Sequence, residues 1–170
     1  MKKLLISAGA LAALALSNPA QAATTNTATA NATVNIVSPL TVTKNSDLDF
    51  GTIVANSGAF AGEVVHLDTG GVVACPATLT CSGATVSAAS FTVTGTPSQN
   101  IVLTLPASVT LNGSGGGTLN VDLSGDEPAT AEALDAAGSY SFNIGGKLTI
   151  PVGTVDGVYQ NTFDVTANYQ

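Results

Sequence analysis

The sequence predicts an all-β fold, either a sandwich or a small barrel of short strands. After Ala23, apolar and polar residues alternate with a period of two, and helical spacing is almost absent. Turn-forming residues interrupt this alternation at short intervals, notably at 68–71, 96–98 and 112–117, as in sandwiches and barrels. The predicted strands contain residues 40–42, 64–67, 91–93, 101–105, 119–123, 140–144 and 148–150. Residues 130–135 are the exception and predict a short helical turn between Pro128 and Gly138.

The first element, residues 1–22, has the pattern of a secretory signal peptide. Lys2 and Lys3 precede an apolar run over residues 4–16, and Ala20-Gln21-Ala22 has the small-x-small form of a cleavage site. The run is shorter than the roughly 20 apolar residues that span a bilayer. We therefore expect export, cleavage after Ala22, and a mature chain that remains in the periplasm or at the cell surface.

Charge is scarce in the chain and almost entirely negative. Charged residues make up 9% of the sequence, and loss of Lys2 and Lys3 would leave Lys44 and Lys147 against eleven acidic residues. Nucleic acids are bound through Lys and Arg that neutralise phosphates, so this balance excludes a nucleic-acid partner. It also disfavours binding to an anionic membrane surface.

The second element, residues 23–37, predicts a lone amphipathic strand, here called the arm. Small and apolar residues alternate with Thr and Asn from Thr27 to Ile36, which gives one apolar and one polar face. Ser38-Pro39 separates the arm from the domain predicted over residues 38–170, because proline limits strand pairing. The apolar face of the arm carries Ala28, Ala30, Ala32, Val34 and Ile36.

Within the predicted domain, the two cysteines and the phenylalanines indicate how the core is held. Cys75 and Cys81 are the only cysteines, and in an exported protein they predict a disulfide, which we expect to staple a hairpin. The phenylalanines predict core positions more often than binding surfaces. They are Phe50, Phe60, Phe91, Phe142 and Phe163.

The last element is a predicted long strand over residues 159–169. Its residues alternate to give a mostly apolar face, and a terminal strand of this kind needs a partner on its open edge to avoid aggregation. That face and the glycine before it comprise Gly157, Tyr159, Phe163, Val165, Ala167 and Tyr169, together with Asn161.

No residue pattern in the chain predicts an enzyme, a cofactor or a metal centre. His66, the single histidine, lacks a recognisable nucleophile and orienting acid, and its pattern favours the polar face of a strand. Asp47, Asp49 and the pair Asp126-Glu127 lack the spacing of a calcium loop, although calcium is left open. Glycine-rich residues 112–117 have no Lys-Ser/Thr after them and favour a hairpin over a phosphate loop.

Two stretches resemble known bacterial families. Gly157 stands fourteenth from the end and Tyr169 is penultimate, and residues 157–169 are similar to the last strand of chaperone–usher pilins and spore-coat-U-like proteins. Across about residues 34–170, the chain also resembles a bacterial secreted domain family of unknown function. That likeness rests on L-D-F-G-T-I (48–53), A-S-F-T-V-T-G (89–95) and L-P-A-S (105–108).

The pilin resemblance implies an immunoglobulin-like sandwich that lacks one strand. The arm would then be a donor strand that fills the gap in a neighbouring copy, and the strand over residues 159–169 would line the acceptor groove. Strand addition of this kind draws affinity from backbone pairing and specificity from alternate side chains. A periplasmic chaperone and an outer-membrane usher are the implied partners, and a surface fibre is the implied product.

Two other functions stay open at the level of sequence. A monomeric adhesive or carbohydrate-binding module would fold its arm into its own sandwich and bind sugar at exposed aromatic residues. A secreted hydrolase would need a nucleophile and base that the sequence does not display.

Overall fold

The computed structural model describes residues 25–56, 58–83, 85–126 and 131–170. The predicted signal peptide lies outside these residues. The chain divides into two units, residues 1–35 and residues 36–170. Every regular element in the described ranges is a β-strand, so the prediction of an all-β fold is confirmed. The immunoglobulin-like sandwich remains a prediction.

Thirteen strands are present in the described part of the chain. They are β1 (Thr41–Ser46), β2 (Thr52–Ala55), β3 (Glu63–Leu67), β4 (Val73–Ala74), β5 (Leu79–Ser82), β6 (Ala89–Thr94), β7 (Asn100–Thr104), β8 (Ser108–Gly113), β9 (Thr118–Gly125), β10 (Glu132–Ala133), β11 (Ser139–Ile150), β12 (Tyr159–Gln160) and β13 (Thr166–Tyr169).

Eight strands form the main sheet, and β11 lies at its centre. The order is β1-β6-β11-β9-β8-β12, with β3 paired to β11 and β4 paired to β3. Strand β11 pairs with β6 through its first half and with β3 through its second half. Gly145 lies at this change of partner, where any Cβ would overlap with the carbonyl oxygen of Leu67. The glycine therefore permits β3 to approach β11 closely.

Two small sheets share their cores with this main sheet. One has the order β10-β7-β13 and the other consists of β2 and β5. Leu79 of β5 packs in one core cluster with Val65, Val121 and Ile150 of the main sheet. A second cluster joins Ile101 of β7 to apolar residues of β6 and β11. Phe50, Phe91 and Phe142 are buried in these clusters, while Phe60 and Phe163 are half-buried.

The predicted disulfide between Cys75 and Cys81 is present, with a Cα–Cα distance of 5.9 Å. Its predicted place in a hairpin is wrong, because β4 pairs with β3 and β5 pairs with β2. The disulfide links the end of β4 in the main sheet to β5 in the small sheet. It therefore ties two sheets together.

Three other predictions differ from the structure. Residues 140–144 and 148–150 belong to one strand, β11, because Gly145 and Gly146 continue the pairing between them. The predicted helical turn is wrong, since Glu132 and Ala133 pair with β7 as strand β10. The single C-terminal strand is wrong as well, since residues 159–169 form β12 and β13 in two different sheets.

Candidate functional site

An apolar groove of about 680 Å³ is present within residues 36–170. It lies between two stretches of chain, residues 47–53 and residues 154–161. Side chains from the main sheet and the loop before β3 form its floor. They are Phe60, Leu111, Leu119, Leu148 and Ile150.

The floor residues belong to the first core cluster or pack directly against it. Leu119, Leu148 and Ile150 are almost completely buried in the first core cluster. Phe60 and Leu111 pack against that cluster and are only half-buried. A groove with this lining favours an apolar occupant, because covering exposed apolar surface stabilises by about 25 cal/mol per Å².

The first wall is the L-D-F-G-T-I stretch, whose last two residues begin β2. Asp49 accepts a hydrogen bond from the Gly51 N–H at 2.7 Å, and Gly51 has a φ of 73°. This tight turn buries Phe50 and brings Ile53 to the groove. Asp49 is therefore engaged in shaping the wall. Among the described residues, β2 pairs only with β5, so its other edge carries no ladder.

The second wall is formed by the loop before β12 and by β12 itself. Tyr159 pairs with Gly113 of β8, and its hydroxyl donates to the Val155 carbonyl at 2.7 Å. The Ser114 hydroxyl accepts from the Val158 N–H at 3.0 Å. Gly157 has a φ of 154°, and a Cβ there would meet the Ser114 hydroxyl at 2.9 Å. These contacts fix the wall against the β8–β9 turn.

The chain beyond β12 continues along one open edge. Residues 159–169, called the C-terminal segment, run antiparallel to β8 and then to β7. The register shifts by two residues between β12, where Tyr159 pairs with Gly113, and β13, where Thr166 pairs with Thr104. The two additional residues belong to the partner stretch 105–111. That stretch contains Pro106, which has no N–H to donate.

Residues 161–165 therefore lie in no strand, and a side chain replaces part of the missing ladder. The Asn161 amide donates to the Thr110 carbonyl at 2.7 Å, and the Asn161 side-chain oxygen accepts from the Thr162 N–H at 2.9 Å. In the described structure β12 and β13 each pair on one side only. The C-terminal segment thus offers a second backbone edge beside the groove.

The predicted acceptor residues fall into two groups. Gly157, Tyr159 and Asn161 line the groove. The remainder are half-buried and pack inward against the second core cluster: Phe163, Val165, Ala167 and Tyr169. Phe163 also contacts Phe91 edge-on, with ring centroids 6.3 Å apart.

The penultimate residue, Tyr169, makes hydrogen bonds that the sequence pattern does not predict. The Tyr169 hydroxyl accepts from the Thr96 N–H at 2.7 Å and donates to the Ser38 carbonyl at 2.8 Å. The Ser38 N–H donates to the Thr96 hydroxyl at 2.7 Å. Gly95 makes room for the ring, since a Cβ there would overlap with the hydroxyl. Tyr169 thereby holds the point at which residues 36–170 begin.

The described residues of the arm, 25–37, lie in no strand, and all of them except the half-buried Val37 are exposed. Val34 is 82% exposed and Ile36 is 84% exposed. The three alanines of the same predicted face, Ala28, Ala30 and Ala32, are exposed too. The apolar face of the arm is therefore uncovered in the described structure.

The other polar residues singled out from the sequence do not converge. His66 is exposed on β3, opposite Lys147, and Asp47 forms an exposed ion pair with Lys44. No three His, Cys, Asp or Glu side chains within the described ranges are grouped to hold a metal ion. The same ranges contain no helix of the length and apolarity that a membrane span requires.

Comparison with known proteins identifies the domain. A family model described as a domain of unknown function, DUF4402, matches residues 40–169. This match agrees with the predicted resemblance to a family of unknown function, whereas the pilin resemblance stays a prediction. Neither a curated protein nor a solved structure matches the chain. Because the family model covers most of the sequence, the chain belongs to the DUF4402 family.

Proposed function

We propose that this protein is a structural subunit of a bacterial surface fibre, in which the arm of one copy inserts into the groove of another. One observation carries the proposal: the apolar groove of about 680 Å³ is lined both by β2 and by the start of the C-terminal segment, residues 159–161. Each of these edges is paired on one side only in the described structure. An inserted strand would find donors and acceptors on both sides and an apolar floor beneath it.

The arm has the chemistry of such a strand. Its alternation directs Val34 and Ile36 to one face, and burying each would contribute about 1.5–3 kcal/mol. The three alanines contribute about 0.8 kcal/mol each, which brings the side-chain total to about 5–8 kcal/mol. Ladder hydrogen bonds at a net 0.5–1.5 kcal/mol each supply a further part. Covering the apolar surface of Ile53, Phe60 and Leu111 in the groove stabilises the complex further, beyond the burial of arm side chains and the ladder hydrogen bonds.

Charge is compatible with this partner. Residues 25–37 of the arm contain no charged side chain, so the carboxylates of Asp47, Asp49 and Asp156 at the groove neither attract nor repel it. A neutral apolar arm also avoids the desolvation penalty of burying a charge. Specificity would then depend on side-chain size and backbone pairing.

The same proposal includes the export and the assembly of the subunit. Residues 1–22 direct export, and the completed domain is an immunoglobulin-like sandwich whose missing strand comes from a neighbour. A periplasmic chaperone covers the groove before assembly, and an outer-membrane usher passes subunits to the cell surface. Without such cover, open edges and an apolar groove would promote aggregation.

Arm variants of the full chain test the proposal. Val34→Asp/Ile36→Asp places two charges on the apolar face, and Thr33→Asp/Asn35→Asp places the same charges on the polar face. Both pairs are exposed, so neither should destabilise residues 36–170. Periplasmic protein would be run on SDS gels with and without boiling.

We expect an SDS-resistant, boiling-sensitive ladder from the natural chain and from the polar-face variant, and monomers from V34D/I36D. A peptide covering residues 23–37 should cap the free grooves and shorten the ladder of the natural chain. Stable monomers from all three chains would refute the fibre and leave a monomeric secreted module.

A further inference from the structure

The loop between β11 and β12, residues 151–158, has a feature that the groove alone does not explain. Val155 and Val158 line the groove, yet they are 53% and 66% exposed. Side chains that face a groove and remain exposed still have apolar surface for an occupant to cover. Val152 belongs to the same loop and is 75% exposed, but it does not line the groove.

Hydrogen bonds already hold this loop in shape. The Thr154 hydroxyl donates to the Pro151 carbonyl at 2.7 Å, and the Tyr159 hydroxyl donates to the Val155 carbonyl at 2.7 Å. The Ser114 hydroxyl accepts from the Val158 N–H at 3.0 Å. Because the backbone on either side of the two valines is fixed, ordering them against a ligand costs little further entropy.

We infer that Val155 and Val158 are specificity-determining residues, which cover the apolar face of an inserted arm at the mouth of the groove. The inference rests on the proposed function and adds a third surface to the floor and the two edges. The occupant is the arm of a second copy, whose apolar side chains are small or β-branched. Valine side chains at this position would pack against alanine, valine and isoleucine, which are the apolar residues of the arm.

The charge and length of the arm support this choice of occupant. The arm contains no charged residue, and the valine surface next to the groove would disfavour a charged segment. Thirteen extended residues, 25–37, span at most about 45 Å, enough to follow the C-terminal segment and pass the loop. Val34 and Ile36 are themselves exposed and supply the complementary apolar surface.

Peptide binding to an acceptor that cannot assemble tests the inference. The acceptor is the full chain carrying V34D/I36D, and the probe is a fluorescent peptide of residues 25–37. Three acceptors would be compared by fluorescence anisotropy: the parent, V155S/V158S, and the matched control V152S. Thermal melting without peptide should be the same for all three, because every changed valine is exposed.

We expect V155S/V158S to bind the peptide about 10–30-fold more weakly than the parent, and V152S to bind within twofold. Equal binding by the parent and V155S/V158S would overturn this inference and leave the proposed function standing. No binding to the parent would instead overturn the proposed function itself.

A labelling measurement covers the case in which the double variant folds poorly. Val155→Cys and Val152→Cys, each in the same acceptor, would be modified with a maleimide. Saturating peptide should slow modification at position 155 at least fivefold and leave position 152 unchanged. Equal rates at position 155 with and without bound peptide would contradict the inference.

Discussion

Replacing Tyr169 by phenylalanine removes one oxygen atom that joins two distant parts of the chain. The hydroxyl accepts from the Thr96 N–H at 2.7 Å and donates to the Ser38 carbonyl at 2.8 Å, so two hydrogen bonds are lost. The bond to Thr96 is partly buried, and an N–H left there without a partner costs about 1–3 kcal/mol. The bond to Ser38 is exposed, and water replaces most of its value.

We therefore expect Tyr169→Phe to lower the free energy of unfolding by about 2 kcal/mol. For a domain of this size, that corresponds to a fall in Tm of about 6–12 °C. Urea unfolding followed by circular dichroism measures the first quantity and thermal melting the second. Amide exchange at Thr96 should also accelerate, because its N–H loses its acceptor.

Tyr159→Phe is the matched control. Its hydroxyl bonds the exposed Val155 carbonyl, so its loss should cost less than 1 kcal/mol. A change below 0.5 kcal/mol in Tyr169→Phe, or equal changes in both variants, would refute the role assigned to the Tyr169 hydroxyl.

Three further outcomes are expected. Gly145→Ala should lower the free energy of unfolding in urea by about 1–3 kcal/mol, because the new methyl group overlaps with the Leu67 carbonyl. Gly70→Ala is the control and should cost under 1 kcal/mol, because its methyl group meets only the exposed Asp68 carboxylate at 3.3 Å. The variant Cys75→Ala/Cys81→Ala should lose about 2 kcal/mol of its free energy of unfolding in urea. An unchanged free energy of unfolding would contradict the role of the disulfide in joining the two sheets. Raising NaCl from about 10 to about 300 mM should speed assembly severalfold, measured by light scattering, because copies with two lysines and eleven acidic residues after signal removal repel one another. Slower assembly at high salt would instead indicate an interface held by complementary charges.

The all-β fold could be predicted from the sequence because its strands alternate locally. Phe91, Thr92 and Val93 show that alternation without reference to the rest of the chain, and they lie in β6. Strand β11 could not be recognised as one element, because Gly145 and Gly146 interrupt its apolar pattern. Those glycines reflect the close approach of Leu67 and Val121, which only the tertiary structure reveals.

Local sequence patterns do not show which strands pair with each other. The C-terminal segment alternates from Tyr159 to Tyr169, yet the register shift opposite the stretch that contains Pro106 divides it into β12 and β13. Likewise, Glu132 and Ala133 have helical propensity but pair with β7. Tertiary pairing overrides both local signals.

The candidate site was only partly accessible from sequence. Gly157 and Tyr159 were recognised through the C-terminal pattern, and both line the groove. The contribution of Val155 was not, since it lies in a loop without periodicity. The two valines that flank Asp156-Gly157 just before Tyr159 are the available signal, and they acquire meaning only once the groove is known.

Hydrogen–deuterium exchange on the V34D/I36D chain, with and without the peptide of residues 25–37, tests the central claim most directly. Insertion of a strand should protect amides on both edges of the groove, at Thr52–Ala55 and at residues 159–161, and leave the outer strand β1 unchanged. Protection at both edges is the result that the account predicts. Unchanged exchange at both edges, with peptide present at saturating concentration, would contradict it.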